Sequence, residues 1–225
     1  DPPRDLLILG GRLSAFTDFD GGGAMLNADA EYRFSFPITI RASLAPLALA
    51  SKDGTSFGSY AFEAAVGLDL PLAAIDAVGG VTSLSDETEF GQRVAPTAGF
   101  RIRLGLVDSV ALWLAANVVI PDNDPIHIHR LAGGIQARLS LRFFFFSGGD
   151  VQLRSGIFGM AIGTRYWLRG VGDSGSVGID LRLGVQSLAT TPQCEFGPCG
   201  AVDPDQPIEL FLMGPSLSVG VEARL

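Results

Sequence analysis

From Leu26 to Leu44 nearly every even position carries a small or apolar side chain: Leu26, Ala28, Ala30, Tyr32, Phe34, Phe36, Ile38, Ile40, Ala42 and Leu44. Asn27, Asp29, Glu31, Arg33, Ser35, Thr39, Arg41 and Ser43 fill the positions between them. Successive side chains of a β-strand point to opposite faces, so a two-residue period means one apolar wall and one wet wall. The same period returns almost to the last residue, and its repetition predicts a transmembrane β-barrel with an apolar outer band.

The pattern divides the chain into strands. Segment 6–17 alternates loosely and breaks at Asp20–Gly23; segment 24–35 follows, and Pro37 marks a tight reversal into 38–50. After a polar loop at 51–56, Tyr60, Phe62, Ala64, Val66, Leu68 and Leu70 oppose Ser59, Glu63, Gly67 and Asp69. Segment 73–84 alternates poorly and leads into an acidic loop at 85–89. Beyond it, Val94, Ala98, Phe100, Ile102 and Leu104 oppose Arg93, Thr97, Arg101 and Arg103, and Val107 and Asp108 turn the chain into 110–120. A loop at 121–125 precedes Leu131, Ile135, Leu139 and Leu141, set against Arg130, Gln136, Arg138, Ser140 and Arg142. Phe143–Phe146 break the alternation just before Ser147–Asp150, which reads as an interfacial aromatic girdle beside a turn. Segments 158–168, with Arg165 on its polar side, and 177–185, with Asp180 and Arg182, come next. A polar stretch at 189–207 and a final strand at 208–225 complete the series. Soluble strands usually run about five or six residues, whereas about 9 to 11 span a bilayer, and these stretches fall in the second class.

Composition agrees. Charged residues make up 18% and hydrophobic ones 47%, against about 25% charged in an ordinary soluble domain. Yet no window holds the roughly 18 consecutive apolar residues of a membrane helix: Asp69, Pro71 and Asp76 interrupt the nearest approach, 64–81. A soluble, lipocalin-like barrel with its apolar faces turned inward is the alternative. It is disfavoured by Lys52 being the one lysine, since a soluble barrel shows abundant charge to water. The net charge of −8 argues against a nucleic-acid partner. Asp1–Pro3 reads like a mature N-terminus after signal-peptide removal. Cys194 and Cys199, in a Gly/Pro-rich stretch, are expected to close a small disulfide loop in an oxidising compartment.

In these alternating strands, polar loops and a C-terminal strand apolar at every second position (Leu217, Val219, Val221, Ala223, Leu225), the chain resembles the small Gram-negative outer-membrane β-barrels, the OmpA transmembrane domain and OmpW class. The resemblance implies one all-β, antiparallel up-and-down barrel over residues 1–225, in the outer membrane, with outer-membrane lipid and other envelope proteins as partners. Such proteins usually end in an aromatic residue, and here Leu225 stands instead. Eleven stretches emerge, whereas bacterial single-chain barrels have even strand numbers. Ten is expected, with 73–84 not spanning; twelve would need a further strand near 189–213, and eight is the remaining option.

If the polar faces turn inward, Asp29, Glu31, Arg33, Arg41, Glu63 and Asp69 line the lumen early in the chain. Arg93, Arg101, Arg103, Arg130, Arg138, Arg142, Arg165, Asp180, Arg182, Glu222 and Arg224 line it later. Buried charge must be paired, so the interior is expected to be salt-bridged, as a structural and anchoring barrel or as a narrow pore that the arginine excess would turn toward anions. No cofactor is expected. His127 and His129 share one face of an extended segment near Asp122 and Asp124, the only weak candidates for a metal or for a barrel enzyme acting on lipid or peptide. The acidic loops at 85–89, 121–125 and 189–207 offer a further reading, a surface barrel that recruits a partner.

Overall fold

The computed structural model describes residues 5–18, 20–52, 55–85, 92–106, 109–120, 126–140, 142–152, 157–169, 175–189 and 211–225. Over these residues the chain forms twelve strands: β1 (Leu6–Thr17), β2 (Gly21–Arg33), β3 (Ile38–Lys52), β4 (Thr55–Leu70), β5 (Ala73–Ser85), β6 (Gln92–Gly105), β7 (Val110–Val119), β8 (His127–Arg138), β9 (Phe143–Gln152), β10 (Ile157–Trp167), β11 (Ser176–Ala189) and β12 (Phe211–Arg224). Each pairs antiparallel with its sequence neighbours, and β12 pairs with β1 from Ile8↔Arg224 to Phe16↔Ser216, so the sheet closes. Closure leaves no edge strand with unpaired backbone groups, the condition for a sheet to live in lipid.

The two faces of the sheet follow the period-two rule with the soluble order inverted. Leu13, Val66, Leu114, Ile162, Leu183 and Val219 are exposed on the outside. Ser14, Glu63, Asp76, Asn117 and Asp180 are buried on the inside. This orientation rules out the lipocalin-like alternative, whose apolar faces would turn inward. Beside the β2–β3 turn Tyr32 meets Phe34 edge to face and Phe34 stacks on Phe36, with ring centroids 4.8 and 5.0 Å apart. They supply the rim aromatics expected where an apolar band meets headgroups.

Strand number departs from the sequence expectation in two places. Segment 73–84 does span, as β5: Ala74, Asp76 and Val78 face in while Ile75, Ala77 and Val81 face out. Its alternation looks poor because the inward residues are as small or apolar as the outward ones, apart from Asp76. The twelfth strand lies not near 189–213 but at Phe143–Gln152, where a girdle and a turn were expected. Phe144 is buried inside and Phe146 sits over lumen guanidiniums, so the four phenylalanines belong alternately to both faces. In consequence the preceding strand ends at Arg138, and Arg142 is exposed in the β8–β9 turn rather than on the inner wall. Twelve strands also set the chain apart from eight-stranded barrels of the OmpA type, whose interior side chains fill the lumen.

One end of the barrel carries the N-terminal end of β1, the C-terminal end of β12 and the connections at 34–37, 71–72, 106–109, 139–142 and 168–175. This is the terminal end of the barrel. The opposite end carries 18–20, 53–54, 86–91, 120–126, 153–156 and 190–210.

Candidate functional site: the charged lumen

Charge on β2 to β6 and β10 to β12 gathers toward the terminal end, while Arg130 and Asp150 stand near the opposite ends of β8 and β9. Near the opposite end Phe16, Met25, Ala48, Ala50 and Leu212 pack together as a buried apolar cluster on β1, β2, β3 and β12. A register shift between Leu44 and Leu47 puts Ala48 and Ala50 there, because it moves β3 from odd-inward to even-inward.

On the β2–β6 wall the pairs interlock. Glu31 and Arg41 face each other across the β2–β3 ladder, and Glu31 accepts hydrogen bonds from Arg33 Nε and, at 2.5 Å, from Arg41 Nε. Arg41 also donates to Asp76 on β5, and Arg103 on β6 donates to Asp69 on β4. Asp76 gains its place because Gly67, directly opposite on β4, has no side chain: a Cβ there would overlap the Asp76 carboxylate. A second group spans the lumen. Glu63 on β4 accepts from Asn117 on β7 at 2.6 Å and from Arg130 on β8 at 3.0 Å, and Arg130 also donates to Asp150 on β9, at 2.8 Å from Nε.

The wall formed by β9 to β12 and β1 is different. Arg165 clasps Asp180 with Nε at 2.5 Å and a terminal nitrogen at 2.8 Å, the two-pronged geometry a guanidinium favours, and also donates to Glu222. Arg182 reaches the same Asp180 oxygen at 3.2 Å, Arg12 approaches it at 3.6 Å, and Arg224 reaches Glu222 at 3.4 Å. Three guanidiniums thus converge on Asp180. Aromatic faces take up the remainder: Phe146 lies between Arg165 and Arg182, 5.0 and 4.8 Å from its centroid, and Trp167 between Arg165 and Arg224, at 5.6 and 4.6 Å. A ladder of alternating cations and rings, Arg182, Phe146, Arg165, Trp167 and Arg224, results.

Most of the polar residues singled out in the sequence therefore meet in the lumen. Arg138 stands at the terminal end of β8, with Nε 3.2 Å from the Ser140 carbonyl oxygen. Arg142 does not join them, and the side chain of Arg93 lies outside the described residues. Arg12, Asp76, Asn117 and Asp150 are further inward polar residues. Their signal was phase: Arg12 alternates with Gly10 and Ser14, and Asp150 with Phe146 and Gly148. His129 is buried at a bulge between Ile128 and Arg130, while the side chain of His127 lies outside the described residues. No group of three metal-ligating side chains occurs among the described residues. Cys194, Cys199 and the three acidic loops also fall outside them.

No family model and no curated protein matches this chain. Among solved structures it is similar to the KdgM porin in complex with disordered oligogalacturonate, at 10% identity and a TM-score of 0.50, over 96% of this chain and 98% of that one. A Pseudomonas aeruginosa FadL homologue matches at 8% identity and a TM-score of 0.43, over 98% of this chain and 88% of that one. OmpT of Vibrio cholerae, in its trimer form, matches at 10% identity and a TM-score of 0.41, over 98% of both chains. At these identities the likeness is one of fold, that of an outer-membrane β-barrel.

Proposed function

We propose that the chain is an integral barrel of a Gram-negative outer membrane that passes small anions through a narrow, wet lumen. Its terminal end faces the periplasm, in keeping with the shorter connections there. The supporting observation is the wall from β10 to β1, where three guanidiniums, Arg12, Arg165 and Arg182, converge on the single carboxylate of Asp180. Arginine stays charged at any working pH, so excess cation on one wall of a low-dielectric tube raises the local concentration of anions. Asp29, an exposed side chain on the lumen side of β2, supports water beside that wall.

Single-channel recording of the purified barrel in planar bilayers, under a potassium chloride gradient, tests this. Discrete steps whose reversal potential favours chloride are expected. An inserted but silent barrel, or one favouring potassium, would overturn the pore and leave the anchoring role.

A further inference from the structure

The inward arginines divide by how well each is paired. Arg41, Arg130 and Arg165 donate hydrogen bonds to two carboxylates each and are 14 to 16% exposed. Arg12 and Arg101 differ in both respects. Arg12 comes no nearer to Asp180 than 3.6 Å and Arg101 no nearer to Glu63 than 3.8 Å, both beyond hydrogen-bond range, and each is 29% exposed. They stand on β1 and β6, nearly across the ring of strands from each other. A guanidinium gains most from close, two-pronged contact with a carboxylate, and these two have donors left for a visitor.

Asp29 completes the picture from the opposite sign. It is in no ion pair among the described residues, and its side chain is exposed to the lumen. It faces Gly10 across the β1–β2 ladder, two residues along the strand from Arg12. The carboxylate lies over the Gly10 backbone: a Cβ there would stand 2.6 Å from Asp29 Oδ1.

The geometry points to Arg12 and Arg101 as the residues that bind a passing carboxylate, with Asp29 as a tethered carboxylate that competes for Arg12. This rests on the pore reading above. Asp180 already displays how a carboxylate sits among these guanidiniums, with Arg12 left at the margin. A solute carboxylate that joins Arg12 meets the same fork and displaces the field of Asp29, whose charge keeps the solute from staying. Conduction needs that balance, binding strong enough to enter and weak enough to leave.

The test uses the folded wild-type barrel in detergent, treated with phenylglyoxal, which modifies accessible guanidiniums, with acetate as the probe carboxylate and adducts mapped by mass spectrometry. Arg12 and Arg101 are expected to react ahead of Arg41, Arg130 and Arg165, and acetate to slow both. Asp29→Asn lowers the acetate concentration needed to protect Arg12 by about five-fold, the scale of one nearby unit charge in a wet site. In bilayers, Arg12→Gln and Arg101→Gln each lower the anion-to-cation permeability ratio. Uniform labelling, or labelling that acetate leaves unchanged, overturns the assignment. So does a conducting barrel whose selectivity ignores both arginine variants, and in that case the pore reading stands. A silent barrel in which acetate still protects both residues has the reverse meaning: the site stands and the pore falls.

Discussion

Along β2 to β5, Arg33 and Arg41 share Glu31, Arg41 also holds Asp76, and Arg103 on β6 holds Asp69, three guanidiniums in close contact with three carboxylates. Along β10 to β12 and β1 the sharing is uneven: Arg165, Arg182 and Arg12 crowd onto Asp180, and Arg165 also meets Glu222. The first wall is braced by close pairing, each partner offsetting the desolvation of the other. The second lets three guanidiniums share one carboxylate because Phe146 and Trp167 present ring faces to Arg165 and Arg182. An aromatic face stabilises a cation without cancelling its charge, so the second wall keeps a field that the first wall lacks. That difference separates a lumen built only for rigidity from one suited to select by charge.

The largest effect is expected from Asp180→Asn, which removes the carboxylate that Arg165, Arg182 and Arg12 surround. It is expected to cost about 3 kcal/mol or more, because Arg182 and Arg12 both lose their nearest carboxylate while only Arg165 keeps another, Glu222. Denaturant unfolding in detergent measures it. The matching change on the braced wall, Asp76→Asn, leaves Arg41 still bonded to Glu31 and should cost less, about 1.5–3 kcal/mol in the same assay. If the two losses were equal, the walls would not differ in the way described. Phe146→Leu keeps apolar volume and removes a ring shared by two guanidiniums; about 1 kcal/mol is expected, from unfolding midpoints compared with Phe145→Leu on the outer face. Smallest is Gly10→Ala, within about 0.5 kcal/mol, since the new methyl meets only the movable tip of Asp29. Its sign is read in reversal potentials, where turning Asp29 away from its slot changes anion preference.

Much of this architecture was legible along the chain, and the failures have identifiable causes. Strong polar and apolar contrast made 24–35, 158–168 and 208–225 plain, because lipid demands apolar residues on one face and the lumen accepts polar ones on the other. Where the lumen itself is lined by Ala74, Val78, Phe144 or Gly148, contrast vanishes and the period with it, which hid β9 and demoted β5. Phe143–Phe146 misled for the same reason: a run of one residue type carries no phase. Asp76 looked like an interruption until its neighbours were placed.

The sequence by itself determined that the chain makes long two-faced strands, that lipid meets the apolar face and that acids and arginines share the other. A two-residue period is a local property, fixed by the alternation of side chains along an extended backbone. Which arginine meets which acid was decided only by the closed sheet. Glu63 and Arg130 sit four strands apart, and Arg12 reaches Asp180 only because β12 pairs with β1 and carries β11 beside it. Pairing across a lumen depends on strand count, register and closure together, and no local pattern encodes those.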